Sequence, residues 1–158
     1  MSSSAESCAQ RALKISAKAR YALRIVLDVA VHMRSGQLRS GAAIAQAQNI
    51  SEKFLSRIVI PLRERGILAS VRGANGGFRL ACPPEDISLL DIVETMQGPV
   101  AVLDCLAPDA DCPRLKTCLA RRVWADVNTA LANTLAKQTV ATILKRNVDV
   151  MEALDYCI

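Results

Sequence analysis

Residues 51–80 read SEKFLSRIVIPLRERGILASVRGANGGFRL, from Ser51 to Leu80. The stretch changes period halfway. Ser51 is a good helix cap, and Phe54, Leu55 and Ile58 fall on one side of the helix expected over 52–65, which Gly66 closes. Pro61 removes a backbone donor, so it predicts a bend or the last regular turn. Residues 67–72 then read as a strand, 73–77 as a glycine-rich turn, and 78–80 as the returning strand.

The pattern extends outward in both directions. Ser16 can cap a helix over 17–34 whose Ala19, Leu23, Val26, Leu27 and Ala30 recur at the helical period, with Gly36 ending it. Ser40 caps a short helix over 41–47 with Ile44 inward, and residues 48–50 make a tight connection. Pro83 and Pro84 break the chain after the hairpin. Ser88 caps a helix over 89–96, which Gly98 and Pro99 end. Helix, short helix, tight turn, helix and hairpin is the order of a winged helix-turn-helix. A long helix over 119–144 follows, without internal Gly or Pro, with Val123, Val127, Ala130, Leu131, Leu135 and Ile143 as its apolar positions. A small domain cannot cover such a helix, so it predicts pairing with a second copy. The expected fold is mainly α with a small β-hairpin: a winged helix-turn-helix plus a long C-terminal dimerisation helix. Its expected parts are a tail over 1–14, the winged domain over 15–100, a cysteine loop over 101–118, and a dimerisation helix and tail over 119–158, with a last short helix from 147.

Composition narrows the function. Half of the 158 residues are apolar while aromatics are only 3%, a mixture rich in Ala and Leu that suits helices. The net charge of +5 is compatible with a polyanionic partner. No apolar run reaches membrane length, and residues 1–10 are polar rather than a secretory leader, so a cytoplasmic protein is expected. No nucleophile–base pair or acid pair stands out, and Gly73, Gly76 and Gly77 lack the Gly-Lys-Ser/Thr of a phosphate loop. Neither an enzyme nor a small-molecule substrate is expected.

Two constellations carry chemistry. Ser51, Lys53, Ser56 and Arg57 offer polar groups at the start of the candidate recognition helix, able to reach base edges or phosphates. Arg72 and Arg79 flank the hairpin tip, where glycines permit close approach to a sugar–phosphate backbone. Taken singly, these are also what a solvated helix face and an ordinary turn contain; their order in one stretch, with the basic balance, points to double-stranded DNA. Cys105, Cys112 and Cys118 are spaced C-x6-C-x5-C directly before the long helix. Three thiols in one short loop suit an iron–sulfur cluster, zinc completed by another ligand, or a bare thiol switch, and spacing alone does not separate them. Cys8, Cys82 and Cys157 are scattered and read as small hydrophobes or tail residues, and His32, the single histidine, as a packing or surface residue.

The chain resembles the iron–sulfur-cluster regulator family of bacterial transcription factors (IscR, NsrR and RirA types) over about residues 14–145. The likeness lies in Ala19–Arg24 with Leu27–Ala30, in Ile50–Leu55, in Val71–Leu80, in Ile87–Val93, and in the cysteine triplet followed by Trp124. The resemblance implies a homodimer with DNA-reading positions at Ser51, Lys53, Ser56, Arg57 and Arg72. It also implies a [2Fe–2S] or [4Fe–4S] cluster on Cys105, Cys112 and Cys118. The implied activity is a repressor that senses iron, redox state or nitric oxide. Two departures stand out. Arg121 occupies the place where the cluster-regulator type has a histidine, three residues after the last cysteine. Arg20 occupies the place where the nitric-oxide-sensing type has an acidic residue. The x6 spacing is nearer the iron-responsive type. A thiol- or zinc-based regulator of the same fold, and an iron–sulfur scaffold that does not bind DNA, are the alternatives.

Overall fold

The computed structural model describes residues 15–73 and 75–147. Six α-helices and one hairpin follow in order: α1 (Ala17–Arg34), α2 (Gly41–Gln48), α3 (Glu52–Glu64), β1 (Leu68–Val71), β2 (Gly77–Leu80), α4 (Leu89–Gln97), α5 (Leu119–Lys137) and α6 (Val140–Arg146). A short 3-10 turn, Asp104–Leu106, lies between α4 and α5.

Local chemistry sets the helix starts. Ser16, Ser40, Ser51, Ser88 and Thr139 each accept a hydrogen bond from the backbone N–H three residues on, so one orphan donor is satisfied at five helix N-termini. In α4 this becomes a full capping box, with the Asp91 side chain reaching back to the Ser88 backbone. Only α5 lacks such a bond; its cap is Cys118. Asn49 turns the chain out of α2 in the left-handed region, at φ 51°, a conformation that Asn tolerates better than most residues. Pro61 lies inside α3, and the helix runs only three residues beyond it, so Pro61 marks the last turn.

α1 is the spine of the core. Ala19, Val26 and Ala30 are buried as the period predicts, but Leu23 and Leu27 are only partly covered, while Ala22, Ile25 and Val29 are sealed. The stripe is rotated from the expected one because α1 is packed against α2, α3, β2, α4 and α6 at once. Leu55, Ile58 and Leu62 of α3 close one side, and Leu68 pairs with Leu80 across the hairpin floor. The wing has an extra member: Arg39 and Phe78 exchange backbone hydrogen bonds of 3.3 and 2.8 Å, extending the two-stranded sheet.

The helix expected over 119–144 is broken. α5 ends at Lys137, Gln138 is extended, and Thr139 caps α6. No Gly or Pro causes the break. The backbone is instead drawn into tertiary pairing: Leu89 N–H donates to the Gln138 carbonyl (2.8 Å) and Val140 N–H to the Ile87 carbonyl (2.9 Å). α6 then folds back, placing Val140 and Leu144 in the core of the winged domain. Its N-cap and the tertiary hydrogen bonds outweigh continued helix propensity. The further helix expected from 147 lies, beyond Asn147, outside the described residues, as do Cys8 and Cys157.

Candidate nucleic-acid interface and cysteine loop

The sequence puts Leu55, Ile58, Val59 and Leu62 on the buried side of α3, so its opposite edge is committed to solvent. Ser51, Lys53, Ser56 and Arg57 are all exposed there. Ser51 Oγ accepts from the Phe54 N–H at 3.2 Å, and Ser56 Oγ donates to the Glu52 carbonyl at 2.9 Å. The two hydroxyls therefore have local structural partners, each retaining further hydrogen-bonding capacity. Lys53 and Arg57 make no ion pair among the described residues, where the only pairs are those of Asp28 with His32 and Arg39.

Arg72 leaves the end of β1 and is exposed at the wing tip. Arg79 lies opposite Ala69 in the ladder and points outward, with Nη1 donating to the Leu80 carbonyl at 3.1 Å. The glycines have internal reasons to be there. A Cβ on Gly77 would sit 2.7 Å from the Arg39 carbonyl oxygen, and one on Gly76 2.5 Å from that of Val71. Close backbone packing inside the wing requires both, whatever approaches from outside. Arg39 itself is anchored at 3.2 Å to Asp28, which also receives His32 Nδ1 at 3.1 Å. Sequence reading assigned His32 no role and missed Arg39; the spacing from Asp28 to His32, one helical turn, is the one signal that could have found the cluster.

The cysteine loop sits against the first half of α5. Cys105 lies in the 3-10 turn, Cys112 begins a series of turns, and Cys118 caps α5. All three are free thiols and partly exposed. The Val102 N–H donates to Asn128 Oδ1 at 2.9 Å, fastening the loop to the helix. Among the described residues, no three His, Cys, Asp or Glu side chains are gathered closely enough to hold a metal ion. The donor set still suits a thiolate-held group in kind, with three sulfurs against the usual four ligands. Each sulfur is free, none is locked in the core, and ligand gathering commonly accompanies binding. Arg121 adds an unexpected element: its Nε is hidden from solvent without a hydrogen-bond partner among the described residues. Cys82 stands apart, packed against the core at the wing base, where burial and then Asp86 and Asp91 push its thiol pKa up.

α5 buries none of its residues. Leu131 and Leu135 in its second half are partly covered by α4, but Leu119, Val123, Trp124 and Val127 are exposed by 87, 64, 44 and 44%. Four large apolar side chains along one side of a free half-helix form an unpartnered surface. No helix among the described residues is long and apolar enough to cross a membrane.

A capped recognition helix behind a tight turn, followed by a basic wing, defines a winged helix-turn-helix protein. Residues 15–146 match the family Rrf2, described as iron-dependent transcriptional regulator. The chain belongs to that family, and is a helix-turn-helix transcriptional regulator rather than an enzyme. It is 35% identical over 133 residues to Protein rrf2 of Nitratidesulfovibrio vulgaris, covering 84% of this chain and 88% of the relative. Among solved structures it resembles CymR, the global cysteine regulator of B. subtilis (TM-score 0.69, 30% identity, 85% of this chain and 98% of that one). It also resembles IscR of T. potens (TM-score 0.66, 29% identity, 85% and 88%).

Proposed function

We propose that the chain is a dimeric, operator-binding repressor whose DNA affinity is set by an iron–sulfur cluster on Cys105, Cys112 and Cys118. The observation that carries this reading is the placement of three free thiols in a loop fastened to α5, whose far end is hydrogen-bonded to the winged domain. Residues 15–100 read the DNA, 101–118 respond to the signal, and 119–158 contribute the pairing surface. Lys53, Arg57 and Arg72 neutralise phosphates, Ser51 and Ser56 sit where α3 meets the groove, and Arg79 flanks the wing. Two recognition helices reach a two-fold operator only if the dimer fixes their separation, and the exposed face of α5 supplies that pairing. When bound, a cluster supplies a redox- and ligand-sensitive tie between the three sulfurs. Holding the sulfurs together shortens the loop's range of conformations and biases the position of α5. A coupling of about 1–3 kcal/mol is enough for a roughly 5–150-fold change in DNA affinity.

Anaerobic purification with absorbance, iron and sulfide analysis tests the reading. Cluster-loaded protein and a Cys112→Ala variant with altered operator binding are expected. Colourless, iron-free protein whose operator binding ignores Cys112→Ala would sink it. A thiol-only regulator is the second reading, favoured by the ungathered sulfurs and by the likeness to a cysteine regulator. Its signature is operator binding that responds to thiol oxidation without bound metal, whereas stoichiometric zinc would indicate a metal staple. Failure to bind promoter DNA at low salt would leave the scaffold alternative.

A further inference from the structure

Two ion pairs occur among the described residues, and both use Asp28 of α1. Its side chain is only 9% exposed. Arg39 Nε donates to both carboxylate oxygens, at 3.2 and 3.5 Å, and His32 Nδ1 lies 3.1 Å from one of them. A carboxylate so far out of water is costly unless it is held in this way. Arg39 is also the residue that joins the wing sheet. Its N–H donates to the Phe78 carbonyl at 3.3 Å, and its carbonyl accepts the Phe78 N–H at 2.8 Å. Beyond that pairing the tip turns outward, with Val71, Arg72, Gly73 and Asn75 all exposed. The Arg39 backbone is thus the outermost backbone tie between the hairpin and the rest of the domain among the described residues. Backbone bonds alone fix the wing to residue 39. The ion pair fixes residue 39 to α1, and α1 packs against both α3 and β2.

Resting on the reading of the wing as a DNA contact, we infer that Asp28 is a positioning residue for DNA binding. Through Arg39 it sets where the wing tip, and Arg72 with it, stands relative to the recognition helix. Asp28 is negative and nearly enclosed, so it acts on a phosphate backbone only through what it holds.

Asp28→Asn and Arg39→Met test this, because they change the net charge in opposite directions. A purely electrostatic effect would tighten DNA binding in the first and weaken it in the second. Positioning predicts a loss in both. Affinity for a mixed-sequence duplex is measured by anisotropy over a salt series. Each variant should bind about fivefold or more weakly, with a shallower salt slope because the wing loses phosphate contact. In an Arg72→Ala, Arg79→Ala background neither change should weaken binding further, whereas general damage to the fold would act in both backgrounds. Hydrogen exchange at the Arg39 and Phe78 amides reads the tie without DNA and should quicken in Asp28→Asn. An Arg72→Ala, Arg79→Ala protein that binds like the parent overturns the wing's role in DNA binding and this inference together. If that protein binds weakly, three results overturn this inference alone: Asp28→Asn binding as tightly as the parent or tighter, a loss that persists in full without the wing arginines, or amide exchange as slow as in the parent.

Discussion

Val123→Asp tests the assembly most directly. Val123 sits between Leu119 and Val127 on the unpartnered side of α5 and is 64% exposed in the single chain. Fully burying a valine is worth about 2 kcal/mol, so covering the exposed share contributes about 1.3 kcal/mol. A two-fold dimer counts the change twice, giving about 2.6 kcal/mol, or roughly a hundredfold in the dimer dissociation constant. The two introduced carboxylates must also lose water or repel across the axis, and both effects act in the same direction. Sedimentation velocity over a concentration series should therefore show a monomer where the parent is dimeric, with unchanged far-UV circular dichroism. Binding to a two-fold operator should fall while contact with a half-site persists. Thr129→Asp, on another side of the same helix, is the control for adding a charge to α5. If Val123→Asp sediments like the parent, the exposed face is not the pairing surface and the dimer must form elsewhere.

Arg57→Ala should weaken binding to specific and unrelated DNA alike and reduce the slope of log affinity against log salt by about one, measured by anisotropy over a salt series. An unchanged slope would remove Arg57 from the phosphate contacts. Gly77→Ala forces a Cβ to within 2.7 Å of the Arg39 carbonyl and should cost about 1–3 kcal/mol, lowering the melting temperature by roughly 2–12 °C; a melt within a degree of the parent would contradict the close packing of the wing. Cys82 holds its proton longer in the folded chain than in the unfolded one because burial, Asp86 and Asp91 all raise its pKa. Its contribution to stability is therefore lost as pH rises past the ordinary thiol value of about 9.0, and Cys82→Ser should melt with a shallower alkaline slope. Equal slopes would mean the thiol is solvated.

The winged domain was legible because its signals are local. Ser16, Ser40, Ser51 and Ser88 announce helix starts, and the side chains that cap a helix are the same ones that sequence displays. The hairpin was placed within a residue, since turn glycines and β-branched flanks agree. What escaped depends on distant partners. Gly77 looked like room for a phosphate backbone, but its closeness to Arg39 is a contact across 38 positions, invisible to any window. The rotation of the α1 stripe toward Ala22, Ile25 and Val29 has the same origin, because a helix packed on several sides no longer has one apolar face. For the cysteine loop, spacing shows how many sulfurs are available but not whether the backbone brings them together.

The break between α5 and α6 is the largest departure from the expected helix and the one with most consequence. A continuous helix over 119–144 would leave only the loop and the packing of Leu131 and Leu135 beside Val93 to join the pairing face to the winged domain. Instead Gln138 and Val140 are hydrogen-bonded to Leu89 and Ile87, beside the cap of α4, and α6 buries Val140 and Leu144 against α1. The chain thus leaves the winged domain through the cysteine loop and returns to it through a three-bond backbone clamp, the third bond running from the Ala141 N–H to the Pro84 carbonyl at 3.0 Å. With one end of α5 clamped, changes in the loop at Cys118 act on a lever about 28 Å long, at 1.5 Å per residue. In the proposed dimer, with the exposed face of α5 against its copy, a small tilt would change the separation of the two α3 helices. That separation is the quantity a two-fold operator reads, so in the proposed regulator the clamp would let a loop distant from α3 bias DNA binding.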